Sequence, residues 1–230
     1  MDGHLPGELI AGRYTLCLPL GRGAMGSVWL AERTDMLQGR PLALKLPHRA
    51  WRHAGLAERM AREREILATL DHPNIARLYD AGLAEDGQPY LALEHVEGRS
   101  ISHYAESERL ELKQRAALLL QVMDAVQYAH AKLVVHRDLK PSNVLVTAQG
   151  QAMLLDFGIA KLLQEEQGRA DETELTRLGG PALTLEYAAP EQLAGLAVGT
   201  GVDIWALGVL AHELLCGERP FRGERRALED

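Results

Sequence analysis

A short polar loop between strand-like apolar residues constrains this chain more than any other part of its sequence. The loop runs from His136 to Asn143 with the sequence HRDLKPSN, and the triplet DFG follows at residues 156–158. It brings a carboxylate, an ammonium group and a carboxamide together, and a second carboxylate follows. Seven specified residue types in eight positions arise by chance on the order of once in 10^9 windows, so coincidence is a poor explanation.

This combination of groups has a specific chemical use. A carboxylate can orient a hydroxyl group and accept its proton, and an ammonium group can meet the charge of a phosphoryl group. Carboxylate and amide oxygens are the hard ligands that Mg²⁺ prefers. The loop and the triplet therefore predict phosphoryl transfer from Mg-ATP to a hydroxyl group.

Three further motifs stand in a fixed order around this loop. A glycine-rich turn occupies residues 21–28, the strand-like Ala43-Leu44-Lys45 follows it, and Ala189-Pro190-Glu191 lies beyond the DFG triplet. In this order the motifs resemble those of the eukaryotic-like protein kinase family, most closely its bacterial serine/threonine members, over residues 14–221. Each motif alone is moderate or weak evidence for this family, but the ordered set is strong evidence.

The periodicity of the apolar residues predicts an α+β fold, in agreement with the bilobal fold that the resemblance implies. Alternating segments predict a five-stranded antiparallel N-lobe with one helix at residues 55–70, and helical patterns dominate after residue 98. Residues 202–216 are apolar on nearly all sides, which predicts a buried central helix. We expect an N-terminal tail at residues 1–12, an N-lobe at 13–96 and a C-lobe lacking its last helices at 97–230.

The glycine-rich turn is the first candidate for nucleotide binding. Dinucleotide-binding folds carry similar glycines followed by a helix, whereas the strand-like Val28-Trp29-Leu30 follows here, so we expect a hairpin that closes over phosphates. The resemblance implies that Lys45 binds the α- and β-phosphates and pairs with Glu63. The alternative, Glu65, lies about 200° around the helix from Glu63. The other nucleotide-binding residues that the resemblance implies are Leu20, Gly21, Gly23, Gly26, Val28, Ala43, Leu93 and Leu145, with the backbone of Glu94 and Val96 at the adenine edge.

The resemblance also implies roles within the polar loop. Asp138 is the expected catalytic base, and Lys140 is expected to neutralise charge on the transferred phosphoryl group. Asn143 and Asp156 are the expected ligands of Mg²⁺, with Mn²⁺ as an alternative metal. Lys140 together with Pro141 favours serine and threonine over tyrosine as acceptors.

Other residues are expected to support or regulate the loop. His136 and Phe157 are assigned to packing, and Asp203 resembles the helix aspartate that braces the loop backbone. Arg137 is expected to receive a phosphate from the polar, acid-rich segment after the DFG triplet, which would order that segment. The threonines concerned are Thr173 and Thr176 as phosphate acceptors and Thr184 as a hydrogen-bond partner of the catalytic aspartate and lysine.

Composition argues against several other classes of protein. The chain has 230 residues, a net charge of −7 and 47% hydrophobic residues, which fits a soluble globular protein better than a nucleic-acid-binding one. Its two cysteines lie far apart, and the N-terminus lacks a signal-peptide pattern, so we expect a cytoplasmic protein without a membrane segment. The expected partners are proteins with serine or threonine, and a second copy of the chain through autophosphorylation or dimer formation.

Two alternatives to an active protein kinase concern the same residues. Lys140 and the Ala189-Pro190-Glu191 motif argue against a small-molecule kinase. The family continues through several helices beyond the position of Phe221, so a catalytically impaired nucleotide-binding or scaffold fragment is the main alternative. The intact catalytic lysine, base and metal ligands count against it. Without those helices we expect a weaker kinase and a less stable protein than a longer version.

Overall fold

The computed structural model of the chain describes residues 4–23, 26–34, 40–47, 56–157 and 186–221, without the side chains of residues 56–59, 62 and 63. These residues form two compact units. Unit 1 contains the described residues up to Val96, and unit 2 contains Glu97 to Phe157 together with residues 186–221. None of the helices described in either unit is long and apolar enough to cross a membrane.

Unit 1 is built on an antiparallel sheet with the strand order β1-β2-β3-β4-β6-β5. Its strands are β1 (Leu9–Ile10), β2 (Tyr14–Gly23), β3 (Gly26–Arg33), β4 (Leu42–Pro47), β5 (Leu78–Leu83) and β6 (Pro89–Glu94). The prediction of five strands misses β1, which pairs with Tyr14 and Thr15 of β2. A turn with positive φ at Ala11 (51°) and Gly12 (66°) folds β1 back, and two residues are too few to show an alternating pattern.

One face of this sheet forms the core of unit 1. Alternate residues of β4 point into it, and Leu44 is fully buried there. The helix α1 (Leu56–Leu67) contacts β5 and buries Met60 and Leu67 at the helical spacing seen in the sequence. The buried cluster of the sheet consists of Ile10, Tyr14, Leu16, Trp29, Ala31, Leu42, Leu44, Leu46, Tyr90 and Ala92.

Unit 2 is mainly helical and contains a small antiparallel sheet with the order β7-β8-β9. Val134 and Val135 look strand-like in the sequence but form no strand, because the N–H of Val134 donates to the carbonyl of Ala129 at 2.9 Å and so closes the end of the helix before it. The elements are β7 (Arg99–Ser100), α2 (Ile101–Ser107), α3 (Leu112–Ala131), a 3-10 turn (Pro141–Asn143), β8 (Val144–Val146), β9 (Ala152–Leu154), α4 (Pro190–Leu193) and α5 (Gly201–Cys216).

The helix α5 has one buried face and one exposed face. Leu210 and Leu214 are buried, whereas Ile204 is 59% and Trp205 is 36% exposed. The described helices that contact α5, α2 and α3, cover only part of it, so the central helix of unit 2 is buried on one face and leaves apolar residues exposed on the other. The Trp205 ring stacks on Phe221 with 5.7 Å between the ring centroids.

Candidate active site

Three side chains of the HRDLKPSN loop form a polar cluster in unit 2. The Lys140 Nζ lies 2.9 Å from the Asp138 Oδ2. The Asn143 Nδ2 donates to the same oxygen at 3.2 Å and to the backbone carbonyl of Asp138 at 2.7 Å. Bonds to an ammonium group and to an amide fix the orientation of the Asp138 carboxylate.

His136 supports this cluster from the core of unit 2. Its ring is fully buried and lies 4.8 Å from the ring of Phe157. The Nδ1 accepts the N–H of Asp138 at 3.3 Å, and the Nε2 lies 2.7 Å from the carbonyl oxygen of Leu155. Since an N–H can only donate and a carbonyl can only accept, the ring is neutral with its proton on Nε2. Burial lowers the pKa of His136 below its ordinary value, against the opposing effect of nearby carboxylates, and favours the same neutral form.

The carboxylate of Asp203 on α5 holds the backbone of the loop. It is 1% exposed and accepts the N–H groups of His136 and Arg137, each at 2.8 Å. The His130 Nε2 on α3 lies 2.7 Å from the same carboxylate. A buried carboxylate is costly without hydrogen-bond donors, and these three bonds supply them. They also join α3, α5 and the loop in one network.

Two residues, one in the HRDLKPSN loop and one shortly after β9, have left-handed backbones. The φ angle is 68° at Arg137 and 61° at Asp156, which is uncommon for residues other than glycine. Asp203 accepts the N–H of Arg137, and the Nε2 of Gln192 on α4 donates to its carbonyl at 3.0 Å. Such backbone strain persists only where the surroundings impose it, as these bonds do for Arg137.

Asn143 and Asp156 offer oxygen atoms that suit a divalent cation. The N–H of Leu155, the residue before Asp156, donates to the carbonyl of Asn143 at 2.8 Å. Because the Nδ2 of Asn143 faces Asp138, its Oδ1 is the amide atom left to act as a ligand. In the described part of the chain, no three His, Cys, Asp or Glu residues form a metal-binding group. An amide oxygen and a carboxylate are hard donors, and one or two such protein oxygens can hold a divalent cation that takes its other ligands from phosphate and water.

In unit 1, strand register places several predicted nucleotide-binding residues on one face of the sheet. Val28 pairs with Lys45, and Ala43 pairs with Leu93. Paired residues share a face, and so do residues two apart on one strand. All four are half-buried and lie on the face opposite the buried cluster that contains Leu44.

The three glycines of the glycine-rich turn differ in what the fold demands of them. Gly26 has a φ of 136°, and a Cβ there would lie 2.1 Å from the carbonyl oxygen of Leu46. At Gly21 and Gly23 a Cβ would meet no atom within 4 Å. The fold itself thus requires glycine at position 26.

Comparison with known proteins identifies the family that this arrangement belongs to. The family model described as the protein kinase domain matches residues 14–229. The chain belongs to the protein kinase family. Members of this family generally use ATP and a divalent metal ion.

Several bacterial protein kinases match nearly the whole chain. The serine/threonine-protein kinase pkn2 of Myxococcus xanthus is 37% identical over 94% of the chain. PrkC of Bacillus subtilis is 35% identical over 96%, and PknA of Mycobacterium tuberculosis is 36% identical over 95%. The chain spans only 26% of the length of pkn2, 33% of PrkC and 50% of PknA.

A solved protein kinase domain has the same fold. The crystal structure of the Mycobacterium tuberculosis PknI kinase domain has a TM-score of 0.72 with this chain and is 29% identical to it. The match covers 95% of this chain and 80% of the PknI chain. The bilobal α+β prediction is thereby confirmed, apart from the number of strands.

The other predicted site residues of the kinase domain lie in unit 1, in unit 2 or outside the described residues. Leu20 lies on β2 and is 43% exposed, and Glu94 ends β6 with its N–H bonded to the carbonyl of Arg77 at 2.8 Å. Val96 is the last described residue of unit 1, and Leu145 is half-buried on β8 of unit 2. The side chain of Glu63 and all of Thr173, Thr176 and Thr184 lie outside the described residues.

Two residues of the kinase domain that support the loop are absent from the sequence-based set. His130 follows Val122 and Val126 at the spacing of the buried stripe of α3, so a polar residue on an apolar face is the signal that could have found it. Gln192 accepts the N–H of Ala189 at 3.1 Å, as expected at the start of a helix. No sequence signal reveals its second bond, which reaches the carbonyl of Arg137.

Proposed function

We propose that this chain is the catalytic domain of a serine/threonine protein kinase, which transfers the γ-phosphoryl group of Mg-ATP to hydroxyl groups of proteins. The cluster of Asp138, Lys140 and Asn143 is the observation that carries the proposal. A carboxylate oriented by an amide suits a hydroxyl nucleophile, and the ammonium group 2.9 Å away suits the phosphoryl group it attacks.

Each residue of the cluster has one role in this reaction. Asp138 orients the substrate hydroxyl and accepts its proton while the hydroxyl oxygen bonds to the γ-phosphorus. The bond from the γ-phosphorus to the bridging oxygen breaks, and ADP leaves with that electron pair. Lys140 offsets the charge on the transferred phosphoryl oxygens. Asn143 and Asp156 would hold Mg²⁺, or Mn²⁺ as the alternative, which neutralises phosphate charge when bound.

The nucleotide is bound by residues whose positions support their predicted roles. Lys45 contacts the α- and β-phosphates, and Glu63 is its proposed partner. On the same sheet face as Lys45, the apolar residues Val28, Ala43 and Leu93 suit the adenine ring. The other proposed contacts are Leu20 and Leu145 with the adenine, the backbone of Glu94 and Val96 with its edge, and the backbone of Gly21, Gly23 and Gly26 with the phosphates.

The substrate class and the regulation follow from the same loop. Lys140 and Pro141 support serine and threonine residues of proteins as acceptors, including those of a second copy of the chain. We assign Arg137 as the site that binds a phosphate on Thr173 or Thr176, with Thr184 bonding the catalytic residues. The protein would act in the cytoplasm, where ATP and Mg²⁺ are abundant.

Transfer of radiolabelled phosphate from ATP tests the activity. The wild-type chain should label itself and a serine-containing protein, and Lys45→Met and Asp156→Asn should each reduce labelling by roughly 10^2 or more. Lys132→Met, which removes an exposed lysine at the end of α3, is the matched control and should keep full activity. Equal labelling of all four proteins would contradict the proposal.

Phosphopeptide mapping tests the regulatory assignment separately. After incubation with Mg-ATP, phosphate should accumulate on Thr173 or Thr176, and the doubly substituted Thr173→Ala/Thr176→Ala chain should be less active. Phosphate confined to other segments, or full activity of the double variant, would remove the assignment.

A further inference from the structure

A second polar cluster lies in unit 1, away from the predicted nucleotide-binding face. The carboxylate of Asp80 on β5 accepts the O–H of Tyr14 at 2.9 Å and the O–H of Tyr90 at 3.0 Å. Both tyrosines are almost fully buried, and their rings lie 5.4 Å apart. Two arginines also reach the carboxylate, the NH1 of Arg13 at 3.2 Å and the NH1 of Arg64 at 3.5 Å.

The groups around Asp80 come from separate elements of unit 1. Tyr14 begins β2 and Tyr90 lies on β6, while β3, β4 and β6 lie between β2 and β5 in the strand order. The bond from Tyr14 to Asp80 therefore joins strands that are not neighbours in the sheet. Burial, and then interaction with Asp80, raise the pKa of Tyr14 and Tyr90 above the ordinary value, so both hydroxyls remain donors at neutral pH.

Arg64 connects this cluster to the helix α1. It lies four residues after Met60 and three before Leu67, both buried, so it belongs to the inner side of the helix. Arg64 itself is 49% exposed, and an ion pair of that kind is weak when both side chains are mobile. Asp80, however, is 15% exposed and already held by two tyrosines, so only Arg64 has to be ordered when the pair forms.

We propose that Asp80 is the anchor of α1. Held by Tyr14 and Tyr90, it fixes the rotation of the helix through Arg64. The residue before Arg64 is Glu63, the proposed partner of Lys45, so the orientation of α1 decides whether that pair can form. Asp80 and Arg64 are thus positioning residues for the phosphotransfer reaction, and this part of the inference rests on the function proposed above.

Hydrogen exchange of the amides of residues 56–67 measures how firmly Asp80 and Arg64 hold α1, and it does not require the protein to be active. Arg64→Met and Asp80→Asn should each raise exchange in α1 about threefold or more, which is the effect of losing one partly exposed pair. The double variant should show no further rise than Asp80→Asn alone, because Arg64 acts through Asp80. The matched control is Arg77→Met, which removes another arginine–aspartate pair, 2.6 Å long and well exposed, and should leave α1 unchanged.

Steady-state kinetics with ATP and a peptide then test the positioning role. Loss of the anchor should raise the KM for ATP about threefold and leave the KM for the peptide unchanged. A merely structural loss would lower kcat through the folded fraction and move neither KM.

The outcomes separate the anchor from the proposed function. Wild-type exchange in α1 of both single variants would overturn the anchor. Faster exchange combined with an unchanged KM for ATP in an active protein would overturn the positioning role. Faster exchange in a protein whose wild type transfers no phosphate would support the anchor and contradict the proposed function.

Discussion

The candidate site residues of unit 2 and of unit 1 are held in place in two different ways. In unit 2, hydrogen bonds between side chains and backbone fix the loop, as Asn143 does for Asp138 and as Asp203 does for the N–H of Arg137. In unit 1, strand register places apolar side chains such as Val28 and Ala43 on one face of the sheet. The site of unit 2 therefore depends on the identity of each functional group, whereas the apolar residues of the sheet face in unit 1 contribute through backbone geometry and side-chain volume.

This difference decides which substitutions should matter in each unit. A change of one functional group in the loop leaves buried donors or acceptors without partners, which is costly. A change of one apolar side chain on the sheet face alters only volume, unless it forces the backbone to move. Substitutions in the loop of unit 2 should therefore cost more stability than substitutions of apolar residues on the sheet face of unit 1.

Replacing Asp203 with alanine should have the largest effect on stability. The substitution removes the acceptor for the N–H groups of His136 and Arg137 and for His130. We expect a loss of about 3–5 kcal/mol in the free energy of unfolding. Urea denaturation followed by circular dichroism measures it, with the exposed Asp71→Ala as control, expected within about 0.5 kcal/mol of the wild type. A loss below about 1 kcal/mol would mean that the loop does not depend on Asp203.

Replacing Gly26 with alanine should destabilise unit 1, because the backbone at this position leaves no room for a side chain. A Cβ at this position would collide with the carbonyl of Leu46, and the φ of 136° is strained for any other residue. We expect a loss of about 2–4 kcal/mol. Gly23→Ala is the matched control, because open space surrounds it, and should change stability by less than about 1 kcal/mol. Equal losses in the two variants would contradict the argument from the close contact.

Replacing Ala43 with leucine should affect nucleotide binding more than stability. Ala43 is half-buried on the proposed adenine-binding face, where added volume would displace the ligand. We expect the Kd for ATP to rise about tenfold, or about 1.4 kcal/mol, with a melting temperature close to that of the wild type. Titration of ATP into both proteins measures the affinity. Unchanged affinity would place the nucleotide elsewhere than on this face.

The same contrast explains how much of the molecule could be predicted from the sequence. The loop was recognisable because its chemistry demands particular residue types at fixed spacing, such as Asp138, Lys140 and Asn143. The family and the two-lobed fold followed from the order of such motifs, and the comparisons confirm both. The roles of individual residues remain predictions.

Features that depend on tertiary contacts could not be predicted in the same way. The strand β1 has only two residues, and its pairing depends on the turn at Ala11 and Gly12. The exposed face of α5 carries apolar residues such as Ile204, so its pattern is that of a fully buried helix. The family resemblance implied a bracing role for Asp203. The position of His130 on the apolar stripe of α3 marks it as unusual, but the sequence does not reveal that its partner is Asp203, because that contact joins two helices far apart in the chain.

The stability of the hydrogen-bonded loop of unit 2 should depend on pH through His136. His136 is buried in its neutral form, and burial lowers its pKa below the ordinary value of 6.5. As the pH falls through that value, the unfolded chain binds a proton that the folded chain does not bind, so stability is present above this pH and lost below it.

Between pH 7.5 and 5.5 we expect the wild type to lose stability through His136, because burial lowers the pKa of this ring in the folded chain. Urea unfolding of the wild type and of His136→Gln at both pH values measures this contribution. The chain has 9 histidines, so only the difference between the two proteins isolates His136. His136→Gln should be less stable than the wild type at pH 7.5, because the contacts of the His136 ring are lost. It should lose less stability than the wild type when the pH falls to 5.5. If both proteins lose the same amount, the proton is bound by another group, and the loop is no more sensitive to pH than the sheet face of unit 1.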